Sequence, residues 1–472
     1  MRKATKLYVL LGVLLVVCVA AFAVSHYEEK KEQIKNTGDE ILAIPTDSVT
    51  ALSWTNSSGT FSFTNGESWT YDDDAAFPVD EEKINELLSQ FESFSAAFTI
   101  DDVEDYSQYG LGEPECTISI TAGEETYTIE LGSISVMDDE RYISVGDGRA
   151  YLVAHDPLEE YDAVLSDVVL NDDVPEFDTT EKITFTGSEN YTIERSEDIK
   201  SLCAEDVYFA ESKPLDTENV DELVETLQGL ILNSYVTYNV TDEELATYGL
   251  NEPELTISID YSSTDDEGSE TDSGTIELEF SRNPEEIAAY EEAMASDAES
   301  IPYVTCYVRV NQSQIVYTIS RSTYEQIMKV SYNDLRHKEL FTGNFDSITS
   351  IDIELDGETR TFVYTAVSED DVSGTTTGTW TYNDEEIDIT DFETAFTAVT
   401  AADFTEEEPT EQKEISLTVH LDNEDFPTYT LTLYRYDGTN CIASVDGVPT
   451  AFVTREKTVD LIEAVNGLTL GK

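Results

Sequence analysis

The chain repeats itself, and this constrains its fold more than any other feature. Tyr109-Gly110-Leu111-Gly112-Glu113-Pro114, followed by Thr117-Ile118-Ser119-Ile120, returns as Tyr248-Gly249-Leu250-Asn251-Glu252-Pro253, followed by Thr256-Ile257-Ser258-Ile259. Every matched position is displaced by the same 139 residues. A constant displacement over so many positions marks a duplicated structural unit. A third, degenerate copy keeps Glu408-Pro409 and Ile415-Ser416-Leu417-Thr418-Val419 but has lost Tyr-Gly-Leu. Within the motif, glycine permits positive φ, leucine plugs a core, and proline starts the next strand from its edge. Those are folding demands, so the motif reads as structural.

The flanks repeat as well. Upstream of the second marker, Val220, Leu223, Val224, Leu227, Leu230 and Ile231 fall on one face at a period near 3.6, the mark of an amphipathic helix. Their counterparts are Ile84, Leu87, Leu88, Phe91 and Phe94 in the first copy, and Ile389, Phe392, Phe396 and Val399 in the third. Asp80, Asp216 and Asp388 stand at or near the helix starts, where a short carboxylate caps free N–H groups. Period-two strands precede the helix: Ala51–Trp54, Thr60–Phe63 and Ser68–Tyr71 in the first copy, with Ile351–Leu355, Thr361–Tyr364 and Thr379–Tyr382 in the third. Further strands and hairpins follow each marker, and each copy closes on a short helix, at 156–169, 320–330 and 455–466. Ser262 to Gly274 contains only Ser, Thr, Asp, Glu and Gly and reads as a solvated loop; residues 284–300 read as an added amphipathic helix.

Strands, helix, strands, helix is the pattern of an α+β fold. The expected organisation is three tandem units of antiparallel sheet with helices packed on one face, preceded by one N-terminal transmembrane helix. The boundaries are 1–25 for the membrane anchor, 26–43 for a linker, and 44–177 for the first repeat. A second repeat with acidic insertions covers 178–342, and a third, divergent repeat covers 343–472.

The anchor rests on the apolar run Leu7–Val24, which follows Arg2, Lys3 and Lys6. Eighteen residues at 1.5 Å each span about 27 Å, close to the hydrocarbon core of a bilayer. Ala21-Phe22-Ala23 also fits a signal-peptide cleavage site, so the run is either an uncleaved anchor or a leader cut after Ala23. Its Val/Leu content and its length favour the anchor. Both readings export the body, giving a single-pass cell-membrane protein with a cytoplasmic N-terminus and an extracytoplasmic C-terminal body.

Charge narrows the partners. One hundred Asp and Glu stand against 25 Lys and Arg, a formal net charge of −75. Such a surface repels phosphate backbones, so nucleic acid is excluded as a partner. The cysteines, Cys18, Cys116, Cys203, Cys306 and Cys441, are far apart, with no CxxC, and read as small buried hydrophobes. The histidines, His26, His155, His337 and His420, each lack a second His or Cys at ligand spacing. The acidic loops Asp72–Asp74, Asp101-Asp102 and Asp265–Glu267 supply oxygen ligands but have no regular calcium-loop spacing. No nucleophile elbow, P-loop, zincin or dinucleotide motif is present. The expectation is a non-enzyme with no catalytic, cofactor-binding or metal residues assigned, and no cofactor.

The N-terminal run, the W-x-Y strand before an apolar-faced helix, and the Y-G-L-x-x-P turn leading into a T-I-S-I strand resemble the bacterial family called domain of unknown function 4340. The resemblance covers nearly all of residues 44–472, as repeats. It implies an envelope protein, in some members encoded beside gliding-motility-type ABC transporter components, and it transfers no catalytic residue. The resulting expectation is a membrane-anchored extracytoplasmic accessory or interaction component of a cell-envelope complex of ABC-transporter type. It would hold the membrane through residues 7–24 and meet envelope or transporter proteins as partners. The alternative is an exported binding module for divalent cations or an envelope polymer.

Overall fold

The computed structural model describes residues 38–136, 139–265, 268–296, 300–369 and 376–470. The expected transmembrane segment lies outside them, and no helix among the described residues is long and apolar enough to cross a membrane. Contacts divide the chain into two compact units. Among the described residues, one holds 38–173, 232–245 and 313–318; the other holds 174–231, 246–312 and 319–470.

The α+β class is observed, with three large sheets that share one strand order. Counting the eight common strands of each sheet along the chain, their spatial order is third, second, first, fifth, sixth, seventh, eighth, fourth. In the first sheet these are Val49–Asn56, Gly59–Asn65, Trp69–Tyr71, Phe98–Ile100, Cys116–Ala122, Glu125–Ile134, Arg141–Ser144 and Ala150–Val153. In the second they are Thr179–Gly187, Asn190–Arg195, Tyr208–Ala210, Tyr235–Thr237, Leu255–Thr264, Glu270–Arg282, Cys306–Val310 and Val316–Ile319. In the third they are Ile348–Leu355, Glu358–Glu369, Thr376–Tyr382, Asp403–Phe404, Lys413–Leu421, Thr428–Arg435, Asn440–Val445 and Val448–Thr454. The second and third sheets each add one short edge strand, Lys213–Pro214 and Glu385–Ile387.

Register agrees to the residue. Trp54 faces Ile118, Phe185 faces Ile257, and Ile353 faces Leu417, each first strand antiparallel to its fifth. A register shift interrupts that pair at the same place in every sheet, after Val49, Thr180 and Ile348. Trp69 and Trp380 stand at matching positions, two residues before the tyrosine whose ring packs on Phe63 or Phe362.

The helices after the third strands pack on the sheets as their periodicity requires. Ile84, Leu87 and Leu88 join the core of Leu52, Trp54 and Ile118, and Phe392 and Phe396 join that of Ile351, Ile353 and Leu417. Asp80 and Asp216 cap their helices through the N–H groups of Glu82 and Glu218. Asp388 accepts the Thr390 N–H at the start of the third. Trp54 stacks on Phe63 with ring centroids 5.4 Å apart and donates its indole N–H to the Ala163 carbonyl at 3.0 Å.

The markers behave as folding elements. Gly110 and Gly249 take φ of 75° and 72°, and Leu111 and Leu250 are buried. Tyr109 packs on Tyr142 and Tyr248 on Tyr307, at matching places on the seventh strands.

Three local readings need correction. Ser262–Gly274 is no loop: the fifth and sixth strands of the second sheet run through Thr264 and from Glu270, leaving only a tight turn. The arm carries no apolar alternation, and Ser and Thr there suit a strand as well as a loop. The expected closing helix at 156–169 is reduced to Leu158–Tyr161 and a 3-10 turn at Leu165–Asp167. The amphipathic helices end at Ser89 and Gln228, so Phe94 lies in a strand while Leu230 and Ile231 lie past the helix end, with Ile231 73% exposed.

Each sheet also carries an ion pair that the sequence did not reveal. Glu254 receives Arg282 bidentately, at 3.0 Å from Nε and 2.7 Å from Nη2. Glu414 receives Arg435 in the third sheet. In the first, Glu115 receives Arg141 at 3.0 Å. Arg282 and Arg435 end their sixth strands and face Cys306 and Cys441 on the seventh. In the first sheet the arginine has moved across to the seventh strand, and the guanidinium still reaches the same glutamate. Conservation of the pair with its partner on another strand marks a structural requirement at the head of each fifth strand.

Candidate functional site

Among the described residues, the acidic loops do not assemble a ligand set. Asp74 accepts from Ala76 N–H and Tyr238 O–H, Asp73 from Tyr71 O–H, and Asp101 pairs with Arg149 at 3.0 Å. Asp265 accepts the Ser269 N–H; Asp266 and Glu267 lie outside the described residues. The side chains that converge are others: Cys203, Asp206 and His337 form one group, and Asp216, His337 and Glu339 a second, with ligand atoms within 4.8 Å of one another in each.

Four backbone features build this cluster, all within the second compact unit. A tight turn, with Asp206 N–H donating to the Cys203 carbonyl at 3.3 Å, brings Cys203 and Asp206 together. The segment between the second and third strands spans 196–207 here but only 66–68 in the first sheet, so both residues lie on an insertion. Asp216 is the helix cap, one carboxylate oxygen accepting the Glu218 N–H. The Asp216 N–H donates to the Leu335 carbonyl at 3.0 Å, which lays the 335–339 segment alongside and places His337 over the cap.

His337 Nε2 stands 2.7 Å from Asp206 Oδ1, and Nδ1 stands 3.4 Å from Asp216 Oδ2. The Asp206 side chain is only 1% exposed, and its second oxygen accepts Ser201 Oγ–H at 2.6 Å. Burial acts to lower the His337 pKa, but the hydrogen bond and charge of Asp206, with Asp216 and Glu339 behind, outweigh it and hold the group above its ordinary value. Burial pushes the Cys203 thiol up. Cys116, Cys306 and Cys441 are buried, whereas Cys203 is half-buried.

Beside the cluster opens a cavity of about 450 Å³, whose walls include Lys200, Lys213, Tyr332, Arg336, His337 and Phe404. Arg336 lies between two rings, 3.8 Å from the Phe404 centroid and 5.3 Å from that of Tyr332, with Asn333 Oδ1 at 3.2 Å. Lys213 lies 5.8 Å from the same Tyr332 ring. Among the described residues none of Lys200, Lys213 and Arg336 has a carboxylate at ion-pair distance, in a chain with four acids for every base. Glu339 and Asp446 also reach the cavity wall. A larger cavity of about 760 Å³ lies among Asp388, Asp391, Asp460 and Glu463 in the third repeat and holds neither His nor Cys.

Spacing could not have found this cluster. Its members stand at 203, 206, 216, 337 and 339, so the isolation of His337 in sequence is ended only by the fold.

The Domain of unknown function (DUF4340) family matches at residues 69–253 and again at 209–419, together about three quarters of the chain. The chain belongs to the DUF4340 family. Both matches begin on a third strand, at Trp69 and at Phe209, so each DUF4340 match runs from one sheet into the next. The double match agrees with the repeated sheet order. No curated protein matches the chain. Within this DUF4340 protein the first repeat serves as an internal control: Val168 takes the place of Leu335, accepting the Asp80 N–H, so Leu170 corresponds to His337. The capping aspartate and the Glu–Arg pair are common property, whereas Cys203, Asp206 and His337 belong to the second repeat.

Proposed function

We propose that this DUF4340 protein is a membrane-anchored extracytoplasmic protein without catalytic activity, acting as an accessory or interaction component of a cell-envelope complex of ABC-transporter type. The observation that carries the reading is an eighteen-residue apolar run, Leu7–Val24, ahead of an acidic body of repeated sheets. The features that the first two repeats share (marker turn, helix cap, Glu–Arg pair) all serve folding, which suits a scaffold that binds through its surfaces. The test is affinity purification of the tagged full chain from detergent-extracted membranes. Transporter subunits enriched over an untagged control are expected, with the chain retained in carbonate-washed membranes. Release of a mature protein beginning at Val24 overturns the anchor, and the absence of enriched transporter subunits overturns the accessory role.

A second reading, an exported binding module, is favoured by the cavity of Lys200, Lys213 and Arg336. Three cations that among the described residues have no carboxylate at ion-pair distance, beside aromatic walls, suit an oxyanion borne on an envelope polymer. Titration of the full chain with inorganic phosphate and with glucuronate tests it. Saturable binding lost in K213Q/R336Q supports the module, and unchanged binding in that variant removes the cavity from consideration.

A further inference from the structure

We propose that Cys203, Asp206 and His337 form a binding site for a divalent transition-metal ion of the zinc class, with Asp216 orienting the imidazole. This deepens the binding-module reading and is independent of the accessory role.

The argument starts from proton arithmetic. A carboxylate only accepts, and a neutral imidazole has one N–H. His337 meets a carboxylate at both nitrogens, Asp206 at 2.7 Å and Asp216 at 3.4 Å. If Nδ1–H serves Asp216, the Nε2 lone pair points at an oxygen lone pair of Asp206. Without a metal, Nε2–H donates to Asp206 and the neutral ring is satisfied; a cation at that point would instead take the Nε2 lone pair and the Asp206 oxygen, with Nδ1–H turned to Asp216.

A third group at that point suits a metal ion. Cys203 Sγ lies within 4.8 Å of both His337 and Asp206. A metal ion of intermediate softness takes thiolate, imidazole and carboxylate together, a set that favours zinc over calcium or magnesium. Ligand bonds of about 2.0–2.3 Å place tetrahedral ligand atoms roughly 3.3–3.8 Å apart. The N–O contact would open by about half an ångström and the sulfur would close by at most about one. His337 and Glu339 line the adjacent cavity, so the fourth position faces solvent or Glu339.

The surroundings match those of metal sites. A ligating histidine usually donates its other N–H to a carboxylate, and ligating carboxylates are themselves hydrogen-bonded. Here Asp216 takes the first role, its other oxygen committed to the helix cap. Ser201 takes the second, donating to Asp206 Oδ2 at 2.6 Å. The first repeat builds the same sheet with Leu170 in place of His337 and without the insertion that carries Cys203 and Asp206. The cluster is therefore not a requirement of the fold.

The test is titration of the chelator-stripped full chain in detergent with Co²⁺. One saturating equivalent is expected to give a near-ultraviolet thiolate-to-cobalt band and intense tetrahedral bands in the visible, both displaced by Zn²⁺. C203S should lose the near-ultraviolet band, H337Q should weaken binding at least 100-fold, and D216N should weaken it about 10–100-fold. Weak octahedral absorption that grows without saturation would show diffuse counterion binding to the acidic surface and overturn the site, as would a thiolate band that persists in C203S. A measurement on the unaltered protein guards against misfolded variants: one equivalent of Zn²⁺ should slow iodoacetamide alkylation of Cys203 at least tenfold, and an unchanged rate refutes the proposal. Failure here leaves the phosphate and glucuronate titrations standing as the separate test of the binding module.

Discussion

The pair Glu279–Arg309 offers a quantitative test of the repeat architecture. The two residues face each other on the sixth and seventh strands of the second sheet, with Arg309 Nε 2.5 Å from Glu279 Oε2. Each side chain is 11% exposed. Removing one partner leaves an uncompensated buried charge, which costs about 3–5 kcal/mol, whereas replacing both leaves no unpaired charge. The third sheet supplies a neutral pair: its matching residues are Thr432 and Ser444, both buried, with Ser416 Oγ 2.8 Å from Thr432 Oγ1. R309S alone should therefore destabilise the second sheet by about 3–5 kcal/mol, and E279T/R309S should restore most of it. Hydrogen exchange of the strands Glu270–Arg282 and Cys306–Val310, followed by mass spectrometry on the full chain, reads local opening directly. At about 1.4 kcal/mol per tenfold, R309S should accelerate exchange there by roughly 10²-fold to several thousandfold, and the double variant should lie within about tenfold of the parent. A double variant that exchanges as fast as R309S would refute the equivalence of the two sheets, and an R309S that exchanges like the parent would refute the buried-charge argument.

Further outcomes follow from the same geometry. Gly249 and Gly268 both have positive φ, but a Cβ at Gly249 would meet Ser281 Oγ at 2.5 Å and the Arg282 carbonyl oxygen at 2.9 Å, while one at Gly268 meets nothing within 4 Å; thermal unfolding should show G249A less stable than G268A by about 1–3 kcal/mol, and equal melting would remove the steric role of the marker glycine. Tyr161 is fully buried and donates its hydroxyl to the Leu87 carbonyl at 2.9 Å, so Y161F should cost about 1–3 kcal/mol in urea unfolding; a loss below about 0.5 kcal/mol would show that the carbonyl finds another donor. The Thr361 hydroxyl and then His420 hold the Asp352 carboxyl below its ordinary value of 3.8, so the stabilisation is present above the unfolded pKa and is lost as pH falls through the folded one; D352N should flatten stability against pH below about 4, and an unchanged acid limb contradicts the assignment. At −75, self-repulsion should be relieved by monovalent salt as the Debye length shrinks from about 30 Å at 0.01 M to about 10 Å at 0.1 M, giving a smooth rise in melting temperature; a flat response would show that the charges do not strain the folded chain.

What the sequence determined by itself is local and repeated. The 139-residue displacement, the period-two strands and the capped helix faces are each written within about ten residues, where periodicity and capping act. They sufficed for the α+β class, the repetition and the DUF4340 resemblance. They failed where the local signal was ambiguous, as in the polar arms flanking Gly268, which pair as strands because each backbone finds its neighbour. Only the tertiary structure decided what depends on distant partners. The short fourth strands, three or two residues long, lie at the far edge beside the eighth, a placement that no periodicity encodes. Arg141 reaches from a seventh strand the kind of glutamate that Arg282 and Arg435 reach from a sixth, because side-chain reach, not sequence position, sets an ion pair. His337 gains Asp206 and Asp216 because a helix cap holds the 335–339 segment against an insertion more than a hundred residues earlier. Chemistry at a site depends on distances of a few ångströms, and between residues so far apart in the chain the packed fold alone sets those distances.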